Sequence, residues 1–260
     1  TFKLFFMLKI IFFSGLAVVN INVFSQQLLH IKNNASLLQQ NGCTMKIEGG
    51  ATLDNGSKLT NNGIINIVAK NDNATADFID SSAVPYNYGT GKIVFSGNAN
   101  NQNIYTPDTS ERIDIDNSAG VTLLNNLKTK KLYLKNGAVT TGSNKVIITS
   151  TASDAIEEDI SNAHFTSSWV NGKIRRYVNP ATVNNYKFPV GSALNPQLAE
   201  LDSLNTNPLT GVTYIDTYFG EKQGNDHGLN VEEDGAAYIS VDSGGVWYIT
   251  PDAEPSGGSY

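Results

Sequence analysis

Between Leu28 and about Ala69 short apolar clusters alternate with polar punctuation: Met45 and Ile47, Leu53, Leu59, then Ile65 and Ile67. Gly42, Gly49, Gly56 and Gly63 fall between them at intervals of seven. A strand residue advances the chain by about 3.3 Å, so a seven-residue unit has room for one short strand and one corner. Three units make a coil of 21 residues, inside the range of solenoid repeats. The pattern predicts stacked coils in which Ile47, Leu53, Leu59 and Ile65 line one interior and the four glycines sit at or near corners. Asn-Gly between short strands, as at Asn55-Gly56 and Asn62-Gly63, is also a strong hairpin signal. An antiparallel meander is therefore the competing architecture.

Residues 70–91 are polar and read as an elaborated loop, with Asp72, Asp77 and Asp80 and the tyrosines Tyr86 and Tyr88. Strands resume with "KIVFSG", "QNIYT", "RIDIDN", "VTLLN", "KKLYLKNG" and "KVIITS". Alternation in "RIDID" turns Ile113 and Ile115 inward and Asp114 and Asp116 to solvent. Residues 151–165 break the rhythm, with Glu157, Glu158 and Asp159 in a solvated turn or a single helical turn. The strands that follow are longer and more aromatic, as in a small sandwich. The expected fold is all-β: a β-solenoid or β-helix of short-strand repeats, then a β-sandwich-like domain. Its expected divisions are 1–25 as a signal peptide, 26–150 as the repeat region, 151–168 as a connection and 169–260 as the sandwich-like domain.

Composition supports many tight turns, because the 31 Asn and 23 Gly are the residues that tolerate positive φ. The net charge is -6, and -8 without Lys3 and Lys9. With no basic stripe, the chain is a poor nucleic-acid binder. Only "KTKK", Lys128 to Lys131, is locally basic, and it reads as a lysine-protected strand edge.

The N-terminal stretch resembles an export leader in its layout: Met7 and Lys9, an apolar run from Ile10 to Val19, then small residues at Val23 and Ser25. Cleavage is expected between Ser25 and Gln26. The apolar run is too short to span a bilayer, so no membrane span is expected in the mature chain. Cys43 is alone and cannot form an intramolecular disulfide, so it reads as a small core residue.

Three stretches together, "GTGKIVFSGNANNQNI" to "LYLKNGAVTTGSNKVII", "SWVNGKIRRYV" and "YKFPVG", resemble secreted and surface proteins of the Bacteroidetes. The resemblance covers residues 90–192. It implies β-helical or β-sandwich modules, export by the type IX secretion machinery, and an extracellular or outer-surface location. Such proteins continue into further modules and a C-terminal sorting domain, so a chain ending in "GGVWYITPDAEPSGGSY" reads as truncated. The resemblance brings no catalytic motif.

His30, His164 and His227 have no zinc-site spacing, and there is neither a G-x-S-x-G elbow nor a phosphate loop. The leading expectation is a non-enzymatic scaffold or adhesin whose partners are extracellular glycans or surface proteins. The alternative is a carbohydrate-active β-helix, a binding protein, lyase or hydrolase, with Asp114, Asp116, Lys130 and Lys131 as its first candidates. Tyr86, Tyr88, Trp169 and Trp247 could stack on sugar faces, although a buried core role competes for both tryptophans. No cofactor is expected beyond calcium, which Asp72, Asp77 and Asp80 would hold. Their spacing lacks the D-x-D-x-D-G order, which favours a plain solvated loop. Arg175 and Arg176 should point to opposite faces of one strand, one buried against a carboxylate and the other exposed.

Overall fold

A computed structural model of the chain describes residues 16–19, 23–26, 28–69, 77–83, 89–161, 163–180, 185–201, 209–220, 231–233, 236–238 and 245–254. The chain winds as a three-sided coil of short parallel strands. Its first turn holds β1 (Leu16–Val19), β2 (Val23–Gln26) and β3 (Leu29–Ile31). The second holds β4 (Ser36–Gln39), β5 (Thr44–Ile47) and β6 (Ala51–Leu53), and the third β7 (Lys58–Asn61), β8 (Ile64–Ala69) and β9 (Phe78–Asp80). Each strand pairs in parallel with its counterpart one turn on: β1 with β4 and β4 with β7, β2 with β5 and β5 with β8, β3 with β6 and β6 with β9. Thr44 lies beside Ile64 and Ser36 beside Lys58, so a turn takes 20 to 22 residues on these two sides, close to the 21 that the glycine spacing predicts, and 27 from Ala51 to Phe78 on the third. A meander is excluded between residues 28 and 69, since every strand pairing there is parallel.

The stack continues with β10 (Lys92–Gly97), β11 (Gln102–Tyr105), β12 (Thr109–Asn117), β13 (Val121–Leu123), β14 (Leu127–Asn136) and β15 (Val139–Ile148). The longer strands bend across a corner. In β14, Leu127–Thr129 pair with one end of β15, while Leu132–Leu134 pair with β16 (Ile156–Glu158) on the next face. A single 3-10 turn at Ser153–Ala155 leads into β16, and β17 (Val170–Tyr177) pairs in parallel with β15. The segment expected as a connection, 151–168, thus also supplies a rung of the coil. Lys128 to Lys131 lie inside β14, which has neighbours on both sides, so this run is not the sheet edge that its composition suggested.

After β17 the pairing changes sense. β18 (Tyr186–Gly191) joins the start of β17 in parallel but pairs with β19 (Pro196–Leu201) antiparallel. β20 (Tyr214–Gly220) lies antiparallel to β17, a two-stranded ribbon of β21 (Val231–Glu233) and β22 (Ala236–Tyr238) follows, and β23 (Val246–Pro251) pairs antiparallel with β20.

The interior is a set of aliphatic columns. Ile47, Leu53, Leu59 and Ile65 are all buried, as the spacing predicts, with Ile93, Phe95, Ile113, Ile115, Leu132 and Leu134 in later rungs. Alternation with period two, wrapped around a coil, puts every second residue inside. Gly42, Gly49, Gly56 and Gly63 lie in turns or bends between strands. At Gly56 φ is +73°, and at Gly63 an added Cβ would come 2.8 Å from Gln40 O, so both corners need glycine.

Asn and Gln do more than turn the chain. Gln39, Asn61, Gln102 and Asn117 are buried, although composition alone reads Asn as a turn former. Gln39 Nε2 donates to Cys43 O and Ile64 O, at 2.9 and 2.8 Å. Asn61 donates to Lys92 O and accepts from the Gly63 N–H, each at 3.0 Å. These amides satisfy backbone groups that a corner removes from the ladder. Cys43 sits at such a corner, half-buried, and is not the core residue expected. No helix among the described residues is long and apolar enough to cross a membrane.

Candidate functional site

The strands β10, β12, β14 and β16 carry a linked set of charged side chains. Register stacks Lys92, Arg112 and Lys131 in one outward row and Val94, Asp114, Tyr133 and Glu157 in the next. Asp114 was expected on an exposed strand face, yet it is 4% exposed. Its two oxygens take Lys92 Nζ at 2.6 Å and Arg112 Nε at 2.5 Å. The long stems of those cations and the Tyr133 ring, 4.8 Å from the Arg112 guanidinium carbon, fold over the short carboxylate. Arg112 also reaches Glu157 at 3.2 Å, and Lys131 reaches Asp154 at 2.9 Å and Glu157 at 3.4 Å.

Asp116 pairs with Lys135 and Lys130 with Glu111, at 2.9 and 2.6 Å. Of the four candidates for acid–base work, Asp114 and Lys131 are linked through Arg112 and Glu157, while Asp116 and Lys130 lie in ion pairs of their own. Tyr133 donates to Asp159 at 2.5 Å, and that bond pushes the phenol up to about 12. The Ser161 hydroxyl, and next Tyr133, hold the Asp159 carboxyl down at about 2. These values suit fixed hydrogen-bond partners better than proton carriers near neutral pH.

Arg175 and Arg176 do point to opposite faces, but the carboxylate belongs to the outer one. Arg175 holds Asp216 through two bonds, 2.7 and 2.8 Å, and Lys145 adds a third at 2.9 Å. Arg176 is fully buried, 4.9 Å from the Tyr186 ring centroid, and donates to the carbonyls of Ala152, Ser153 and Lys187. Desolvation lowers its pKa to about 10.

Of the calcium candidates, Asp72 lies outside the described residues. Asp77 accepts from the Asn103 N–H at 2.9 Å, and the buried Asp80 accepts from the Ser82 N–H at 3.0 Å. Both serve the backbone of the corners they border. No group of three His, Cys, Asp or Glu that could hold a metal ion occurs among the described residues. Tyr86 and Tyr88 also lie outside them, and Ser25 and Gln26 fall in β2, which pairs with β5.

Trp169 is half-buried and Trp247 is 46% exposed, so neither is the buried core residue that competed with a binding role. Trp169 lines a shallow cleft of about 320 Å³, together with Asn101, Asn136, Thr140 and Asn171. The cleft follows the corners that lead into β13, β15 and β17. Its aromatic member was legible in the sequence. Its amides were not, because residues 35 to 70 positions apart meet only through the coil register. No protein-family model, curated protein or solved structure matches the chain.

Proposed function

We propose that the chain is a secreted or surface-displayed scaffold of adhesive type, without catalytic activity, carried outside the cell by a type IX route. The observation that carries this reading is the state of the outward charges. Asp114, Asp116, Lys130 and Lys131 each lie in an ion pair with a neighbouring side chain. A lyase or hydrolase needs an acid and a base facing one substrate position, each free to change protonation state. A filled, corner-plugged coil suits rigid display instead.

The test is a depolymerisation assay with the whole chain on acidic and neutral polysaccharides. Release of reducing ends that survives purification would reject the scaffold reading, and none is expected. Export is tested separately by intact mass of secreted material. A chain beginning at Gln26, cyclised to pyroglutamate, is expected. A secreted chain that retains residues 7–25 would show instead that β1 and β2 stay as the first turn of the coil.

A further inference from the structure

The cleft at Trp169 is built on a column of corner residues. Val121 pairs with Val139 and Val139 with Val170, so the preceding residues, Gly120, Ala138 and Trp169, stand in one column on successive corners. The backbone binds this column together: the Val121 N–H donates to Ala138 O at 2.9 Å and the Val139 N–H to Trp169 O at 2.8 Å. Gly120 and Gly137 have φ of +82° and +83°. A Cβ at Gly120 would come 2.6 Å from Ala138 O, and one at Gly137 would overlap Asn117 O. No larger side chain can rise from these corners. An indole therefore stands at one end of a floor made of backbone, glycine and alanine.

The indole is also held in place. Its N–H donates to Ser192 O at 2.8 Å, and Gly191 lies so close that a Cβ there would be 2.7 Å from the ring. Around the floor stand Asn136, Thr140 and Asn171, all half-exposed. Their side chains make no hydrogen bond among the described residues. Asn101 is itself oriented, accepting from Thr122 Oγ1 at 2.8 Å and donating to Ala119 O at 3.3 Å. Among the described residues, no charged side chain lines the cleft.

We infer that this cleft is a binding subsite for a neutral oligosaccharide, a reading that rests on the scaffold function and gives it a ligand class. A fixed aromatic face matches the C–H face of a pyranose ring. A carboxamide presents both donors and an acceptor, which is the complement of adjacent sugar hydroxyls. Phosphate or uronate ligands would need a cation that the cleft does not provide, and a purely apolar ligand would leave three amide and hydroxyl side chains unserved. Neighbouring strands are about 4.8 Å apart, close to the length of one sugar in an extended chain, so successive sugars can meet successive corners. The volume, about 320 Å³, holds a short stretch of such a chain, and the open ends let it continue.

The test uses the whole chain with Trp247→Phe, which leaves Trp169 as the single tryptophan of the two in the sequence. Gluco-, manno-, xylo- and galacto-oligosaccharides are titrated while tryptophan emission is followed, with oligogalacturonate as the acidic comparison. At least one neutral series is expected to saturate at millimolar concentration or below and to bind more tightly than the acidic one. Asn171→Ala should weaken it at least tenfold, and Ala193→Phe, at an exposed position on the rim, should block it. Both variants should keep the parent melting temperature. Calorimetry on Trp169→Ala in the otherwise native chain should show binding lost. No saturation with any neutral series, tighter binding of the acidic one, or affinity unchanged by Asn171→Ala and Ala193→Phe would overturn the inference. Absence of binding leaves the scaffold reading standing, whereas cleavage of a bound oligosaccharide overturns that reading and leaves the subsite.

Discussion

The parallel coil up to β15 and the antiparallel strands after β17 solve the same problem in opposite ways. In the coil each strand finds its partner one turn away, so every rung is an edge only until the next is laid down. Its inward side chains are mostly aliphatic, and Ile47, Leu53, Ile65, Ile115 and Leu132 have no exposed surface. Beyond β17 the strands are aromatic and turn back on one another. Tyr218 stacks on Tyr248 at 4.5 Å, and Phe219 meets Trp247 edge-on at 5.5 Å. There Trp247 and Ile249, beside Phe219 and Thr217, remain 46% and 41% exposed. A repeating coil buries its apolar surface by translation, whereas an antiparallel sheet needs a second layer to do so.

The two regimes meet at Arg176. Thr129, Ile148, Arg176 and Ile215 form one inward column, the last step of which is antiparallel. The guanidinium takes the carbonyls of Ala152, Ser153 and Lys187, drawn from the turn before β16 and from β18. A cation is tolerated inside because it satisfies backbone groups that the change of pairing would otherwise leave bare.

Four substitutions sharpen the contrast. Leu132→Ala, in the middle of the coil, should cost about 2–5 kcal/mol, because neighbours held by ladders on both sides cannot close the cavity. A loss under about 1 kcal/mol in chemical denaturation would mean that the coil is loosely packed. Arg176→Met should cost about 3 kcal/mol, since it removes the donor from three buried carbonyls. An equal or higher stability would show that water or relaxation replaces the guanidinium.

Asp216→Asn probes the join by pH. Although burial raises its pKa, the hydrogen bonds from Arg175 and Lys145 hold the carboxyl below its ordinary value. Its contribution is therefore complete above about pH 4 and fades as pH falls through the lower folded value. The variant should lose about 1 kcal/mol at pH 7, and the difference from the parent should shrink below pH 4 in urea titrations. A constant difference across that range would remove the ion pair from the account. Trp247→Ala, on the exposed side of β23, should cost only about 0.5–1 kcal/mol, mostly its edge-on contact with Phe219. A loss as large as that of Leu132→Ala would place Trp247 in a buried layer.

The coil was readable because its physics is periodic. A corner every seven residues and an apolar residue every second one mark out Ile47, Leu53, Leu59 and Ile65 without any knowledge of contacts. Alternation also placed Ile113 and Ile115 inside. It could not show that Asp114, on the outer side, would be covered by Lys92 from the preceding turn and Arg112 from its own strand. Arg176 was hidden for the same reason: a single inward Arg looks like any strand residue until its carbonyl partners are folded around it. The Trp169 cleft depends on Gly120 and Ala138 standing beside Trp169, a coincidence of register set by uneven loops. Local pattern reads the repeat, and the departures from it need the stack.

The central claim, parallel stacking of short strands with 20 residues from β5 to β8, can be measured by disulfide trapping in a Cys43→Ser background. Lys46 and Asn66 are outward neighbours on adjacent rungs of β5 and β8, whereas Thr52 lies on another face, in β6. Adjacent parallel positions meet the Cα separation that a disulfide requires, about 4.4–6.8 Å. With Lys46→Cys and Asn66→Cys together, mild oxidation should give a quantitative intramolecular bond and a native melting profile. Lys46→Cys with Thr52→Cys should stay reduced in the folded chain. Rapid closure of the 46–52 pair, with none of the 46–66 pair, would contradict the coil and point to an antiparallel meander.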